Sequence, residues 1–199
     1  MRVVHSYRYF LGIRPHPRFY PAFQAFAEAA GQSLHLGRVH LTLCVVAECV
    51  RRDRGVLRRV RAALAGQPLH AFPVNLSRIV TGPHGATARP SGRQADIQDF
   101  YRRLAGLLRA REIEPLYRRA GLHPHMTLGY DPCPAALVRV ALQWFPTDLL
   151  LIESEVGLTR HTVLGRWPLL PPRQPFLPFG DRFDGPAIAA TDPAPRSAA

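Results

Sequence analysis

The sequence predicts an α+β domain, and three observations carry that prediction. Segments with apolar residues at helical spacing alternate with short runs that read as strands. The connections between them are short. One four-residue pattern, His-x-Thr-Leu, occurs in two strand-like segments 85 residues apart. Mixed helix and strand signals of this kind fit an α+β or mixed α/β arrangement. Two copies of one pattern, each following a helical segment, read as a remnant of duplication rather than as a solenoid repeat.

The elements follow in order. Residues 7–13 (YRYFLGI) read as a strand, ended by Arg14-Pro15-His16-Pro17. Phe19, Phe23, Phe26, Ala27 and Ala30 then recur at helical spacing until Gly31. Residues 37–46 form a second strand. Leu57, Val60 and Leu64 mark one face of a second helix, with Arg58, Arg59 and Arg61 elsewhere on it and Gly66 at its end. Residues 69–80 read as a strand bent at Pro73. Residues 81–92, rich in Gly, Pro, Ser and Thr, read as a hairpin or loop between two halves. Ile97, Phe100, Leu104, Leu107 and Leu108 define a third amphipathic helix. A strand follows at 124–130, and 149–155 with 162–169 read as a final strand pair around Gly157. The domain is expected to span 1–173, with intertwined lobes. Residues 174–199 are a Pro- and Ala-rich tail, expected to be partly disordered, although Phe176, Phe179 and Phe183 can pack part of it back.

Composition narrows the function classes. At 199 residues and 47% hydrophobic, the chain can bury a core of its own. No run approaches the roughly 20 apolar residues of a membrane helix, and the first residues carry no apolar signal-peptide region. Three cysteines, Cys44, Cys49 and Cys133, form no CxxC pair, which points to a reducing, cytoplasmic setting. The net charge is +12 and all 26 basic residues are arginine. A GC-rich coding bias explains the choice of arginine over lysine. It does not explain the sign, which favours anionic partners and phosphate above all. Nothing in the sequence marks a protein partner or a membrane.

The chemistry lies in His40-Leu41-Thr42-Leu43 and His125-Met126-Thr127-Leu128. Along a strand, residues i and i+2 share a face. Leu41, Leu43, Met126 and Leu128 would face a core, and His40, Thr42, His125 and Thr127 would face away from it. If a pseudo-twofold axis relates the halves, both His-Thr pairs meet in one groove. One imidazole can then take a proton from water while the other gives one to a leaving oxygen, since the ordinary histidine pKa of about 6.5 opens both roles. The threonine hydroxyls can donate to nonbridging phosphate oxygens. This design needs no metal and no cofactor. A single His-x-Thr-Leu is more simply a half-buried strand; two in corresponding places are not.

With both motifs in place, the chain resembles the two-histidine phosphoesterase superfamily. The resemblance is to its RNA 2′,3′-cyclic phosphodiesterase group, historically called 2′-5′ RNA ligases. It runs over about 7–169 and includes Tyr9-Phe10-Leu11-Gly12-Ile13-Arg14-Pro15, the His123-Pro124 lead-in, Leu151-Ile152-Glu153-Ser154, and Val163-Leu164-Gly165-Arg166-Trp167-Pro168-Leu169. It implies a bilobed, pseudo-twofold fold with two small antiparallel sheets around a central cleft. It implies that His40, Thr42, His125 and Thr127 line that cleft, with His40 as general acid and His125 as general base. Many members carry an arginine where this chain has Tyr130, so a charged phosphate contact is lost there, and Arg160 and His161 on the last hairpin are candidates to replace it.

The resemblance implies an enzyme opening the cyclic phosphate at an RNA terminus, or on a small nucleotide, to a 2′-phosphomonoester. Reversible 2′-5′ RNA joining and hydrolysis of another cyclic or 2′-5′-linked nucleotide are same-class alternatives. A noncatalytic RNA-end binding module is the alternative from another class. His123 and His125 share a strand face and with His40 could ligate zinc, but no Asp, Glu or Cys stands at a usual ligand spacing. Simple alternation places Cys44 on the His40 face as a small filler at the cleft edge. The group Arg51-Arg52-Asp53-Arg54 reads as a solvated helix surface.

Overall fold

Eight strands and three α-helices arise among the described residues, which are 6–90, 92–116, 122–158 and 160–172 of a computed structural model. The strands are β1 (Ser6–Ile13), β2 (Leu41–Cys49), β3 (Val74–Gly82), β4 (Gly85–Arg89), β5 (Met126–Gly129), β6 (Leu137–Trp144), β7 (Asp148–Val156) and β8 (Arg160–Pro168). The helices are α1 (Tyr20–Ala29), α2 (Val56–Leu64) and α3 (Ala95–Arg109). The tail expected over 174–199 lies outside the described residues. No helix among them is long and apolar enough to cross a membrane.

The fold is α+β, with all strand pairs antiparallel in the order β6-β3-β4-β5-β2-β1-β7-β8. This corrects the expectation of two separate sheets. The two four-stranded halves join into one sheet because the two motif strands, β2 and β5, lie side by side and pair through Leu41 and Met126.

One face of the sheet is buried beneath the helices. Phe23 and Phe26 of α1, Val60 and Leu64 of α2, and Ile97, Leu104 and Leu108 of α3 form one core with Leu41, Leu43, Ile79, Ala88, Met126 and Leu128. Each residue is of the type that the 3.6- or 2-residue period turns inward. The helices cross between the halves. α1 leaves β1 but packs on β5, and its Phe23 meets Trp144 of β6 at 6.0 Å between ring centroids. α3 leaves β4 but packs on β2.

Four sequence-level expectations change. The strand expected over 69–80 begins at Val74, and His70 makes only an isolated bridge to Leu170. The segment expected over 81–92 as a hairpin or loop between the halves is a hairpin, with β4 as its second strand, and it lies within one half. β6 has no counterpart among the expected elements. Finally, the register between β1 and β2 shifts between Leu11 and Gly12, so that Leu11 faces Cys44 but Gly12 faces Thr42. The extra residue is a bulge, which reverses the alternation. Cys44 therefore enters the main core beside Leu43 instead of standing on the His40 face, and Val45 takes the other face, against Phe10. Gly12 is required at this point, because a Cβ there would lie 2.8 Å from the Leu41 carbonyl oxygen.

Candidate active site

The pairing of Leu41 with Met126 builds the site. Both residues are fully buried on the helix side. The histidine and threonine that flank each of them therefore point to the opposite face. One step along the antiparallel register in one direction sets His40 beside Thr127; one step in the other sets Thr42 beside His125. The four motif residues thus form a two-by-two patch at the junction of the two halves. Extending the flanking registers, from Ile13 with Leu41 and from Ala88 with Met126, puts Arg14 beside His40 and Arg89 beside His125.

The two histidines share a backbone device. Nδ1 of His40 lies 2.6 Å from the Arg38 carbonyl oxygen, and Nδ1 of His125 lies 2.9 Å from the His123 carbonyl oxygen. A carbonyl oxygen only accepts, so each Nδ1 carries the hydrogen and donates it two residues back. That fixes the tautomer of each neutral ring and leaves each Nε2 with a lone pair.

Their surroundings differ. The His40 ring stacks on Phe10, with centroids 4.8 Å apart and planes at 29°, and meets the edge of His161 at 5.0 Å. Burial pushes the His40 pKa down to about 4; the Arg38 carbonyl opposes this, while His161, Arg14 and His125 push further down. His40 therefore rests neutral near pH 7. His125 is exposed. His161 also has a lowered pKa, first through burial and then through the charges of Arg14 and Arg38.

Positive charge reaches the patch from residues that the motif reading did not single out. Arg14 is half-buried, and its Nε is shielded from water without a hydrogen-bond partner. Arg38 lines an open groove of about 190 Å3 together with Ser33, His35, Thr127, Tyr130 and Asp131. Neither arginine makes an ion pair among the described residues. Thr87 of β4 pairs with Thr127 of β5, and its hydroxyl accepts a 2.7 Å hydrogen bond from Nε of Arg89.

The remaining candidates fall into two groups. His161 is brought against His40 and Phe10. Tyr130 is 64% exposed at the rim of the groove. The backbone of the next residue, Asp131, is held by buried Gln32, whose Nε2 donates to the Asp131 carbonyl (2.9 Å) and whose Oε1 accepts from the Asp131 N–H (3.0 Å). Arg160 is exposed and 3.8 Å from Glu155, its ion-pair partner, rather than at either motif histidine. No group of three His, Cys, Asp or Glu side chains among the described residues is placed to hold a metal ion.

No family model matches the sequence, and no curated protein matches it. Solved structures match the fold. A crystal structure of a phosphoesterase superposes with a TM-score of 0.65 at 17% identity, over 81% of this chain and 98% of that one. LigT of E. coli complexed with 3′-AMP gives 0.63 at 17% identity, over 82% of this chain and 98% of that one. TT0787 of Thermus thermophilus gives 0.60 at 20% identity, over 81% of this chain and 97% of that one. LigT has also been crystallised with phosphate, NADP+ and ATP. The class that emerges is an α+β protein with the fold of these solved structures, carrying two His-x-Thr-Leu motifs on paired central strands.

Proposed function

We propose that this chain is a metal-independent 2′,3′-cyclic phosphodiesterase of the two-histidine phosphoesterase superfamily, acting on an RNA terminus or a small nucleotide. The observation that carries this reading is the paired register of the two motifs. It sets two imidazoles, each with a free Nε2, and two threonine hydroxyls on one patch. The ligands crystallised with LigT, all bearing a phosphoryl group, support a phosphate in that place. The two halves, each with a motif strand beneath the other half's helix, support a pseudo-twofold relation through the Leu41–Met126 pair.

In the reaction, a water oxygen attacks phosphorus and loses its proton to one imidazole. The bond from phosphorus to O3′ breaks, and O3′ takes the Nε2 proton of the other ring, which enters the step as an imidazolium, leaving a 2′-phosphomonoester. Thr42 and Thr127 donate to the nonbridging oxygens, and Arg14 and Arg38 offset the charge that develops on them. The resemblance implies the acid role for His40. Burial favours the opposite order: an imidazole with a pKa of about 4 rests with a lone pair ready to accept a proton, so we assign His40 as base and His125 as acid. A noncatalytic binder would have no use for two rings held in matching tautomers.

Turnover of a nucleoside 2′,3′-cyclic phosphate in the presence of EDTA tests the reading, with the products resolved by phosphorus NMR. The expected product is the 2′-phosphate alone. No turnover, or activity that returns only with added metal, would end it.

A further inference from the structure

We infer that three arginines in a row, Arg89, Arg78 and Arg139, form a binding track for the phosphodiester backbone leading away from the terminal phosphate, so that the preferred substrate is an oligoribonucleotide. The inference rests on the proposed cyclic phosphodiesterase activity and names its substrate class. The row follows from the sheet register. Arg78 of β3 pairs with Arg89 of β4 on one side and with Arg139 of β6 on the other. The preceding row, Val138, Ile79, Ala88 and Met126, faces the core, and Ile79, Ala88 and Met126 are fully buried. Alternation turns the arginine row to the other face, the one that carries His125. With strands about 4.8 Å apart, the row begins beside His125 and runs about 10 Å from Arg89 to Arg139 at the backbone.

Structure alone gives this row no reason to exist. Like charges directly opposite each other in a sheet are destabilising. Arg52, Arg109 and Arg166 each meet a carboxylate, yet Arg78, Arg89 and Arg139 make no ion pair among the described residues. Edge strands do use charge to block aggregation, which would account for Arg139 on β6. It does not account for Arg78, which lies inside the sheet, only partly exposed, with its Nε shielded and unbonded. A chain of phosphates supplies the missing partner, because each guanidinium fork can grip two phosphate oxygens. A cyclic phosphate ends the 3′ side of an RNA, so the rest of the strand has to leave the patch in some direction, and this row offers a cationic path beside His125.

The test compares kcat/KM for a short oligoribonucleotide ending in a 2′,3′-cyclic phosphate with that for the mononucleotide. The wild-type protein should prefer the oligomer, and Arg78→Gln and Arg139→Gln should each lower the oligomer-to-mononucleotide ratio about tenfold. Each should also reduce the salt dependence for the oligomer by about 0.7 in the log–log slope, one phosphate contact's worth on a single strand. Arg139 is exposed on an edge strand, so its variant remains informative if Arg78→Gln does not fold. A wild-type ratio near one, or ratios in folded variants within twofold of wild type, overturns the track while leaving the phosphodiesterase intact. Wild-type failure on both substrates defeats the phosphodiesterase reading instead. The track is then judged by fluorescence anisotropy with a labelled oligomer ending in a 3′-phosphate: weaker binding by the variants upholds it and equal binding overturns it.

Discussion

His40 and His125 carry the same residue pattern and the same Nδ1 bond to the carbonyl two residues back, yet they meet different solvents. Phe10 and His161 cover His40, while His125 is open to water. Replacing either with Ala should lower turnover by about 10²–10⁴-fold, the usual worth of a positioned acid or base; wild-type rates in either variant would remove that histidine from the mechanism. With His40 as base, kcat/KM should hold to about pH 5 and fall as the pH passes about 4, where His40 takes a proton. His40→Ala should lose this acid limb and His125→Ala the alkaline one, and the reverse pattern restores the order implied by the resemblance. The same burial affects stability. A histidine held at about 4 against 6.5 in the unfolded chain leaves the unfolded state binding more protons between those values. Stability is therefore full above pH 6.5 and lost as the pH falls toward 4, by ~3 kcal/mol at about 1.4 kcal/mol per pH unit. Melting temperature against pH should show this slope in the wild type and a shallower one in His40→Gln.

Elements show where periodicity is readable and where it breaks. The helices over 20–29, 56–64 and 95–109 are legible because their apolar residues recur at helical spacing, joined in the last two by arginines on the other face. The motif strands are legible because the motif's own alternation separates core from patch. β6 escapes the reading although Val138, Val140, Leu142 and Trp144 alternate inward: its outward positions include Leu137, 59% exposed, and Ala141, which blur a period of two. The bulge in β2 is not readable, because it adds a residue without changing composition; it moves Cys44 into the core, where burial pushes its thiol pKa up to about 12. Cys44 should consequently resist thiol reagents in the folded protein, and labelling there at the rate of an exposed cysteine would contradict its placement. The arginines of 51–54 are also more than a solvated surface. Arg52 reaches buried Glu153 (3.1 Å), which also accepts a 2.9 Å bond from the Tyr9 hydroxyl; that hydroxyl in turn accepts from the Asp53 N–H (2.8 Å). Tyr9→Phe removes both bonds and strands part of a buried carboxylate, so it should cost about 1–3 kcal/mol of stability, read from the denaturant midpoint, and leave the site's chemistry in place.

At the scale of the whole molecule, the two halves share little sheet but much core. Their strands meet through the Leu41–Met126 pair, a narrow seam for eight strands. The helices close what the seam leaves open: α1, which follows β1, rests on β5 and against Trp144, and α3, which follows β4, rests on β2. Separating the halves would strip both helices of their partners and expose Phe23, Leu41, Leu104 and Met126 together, residues that are fully buried in one core. The site depends on this arrangement, since each motif pair needs the other strand at its side. The chain provides one tryptophan in each half, Trp144 on β6 and Trp167 on β8, and these make the point measurable. The single-tryptophan variants Trp144→Phe and Trp167→Phe each report one half by fluorescence. If the crossed helices weld the halves into one cooperative unit, the fluorescence midpoint in each variant should coincide with its own far-ultraviolet circular dichroism midpoint, and the two variants should share one m value. A fluorescence transition in either variant that precedes the loss of secondary structure would instead show the seam opening first, and the two histidines would then part before the protein unfolds.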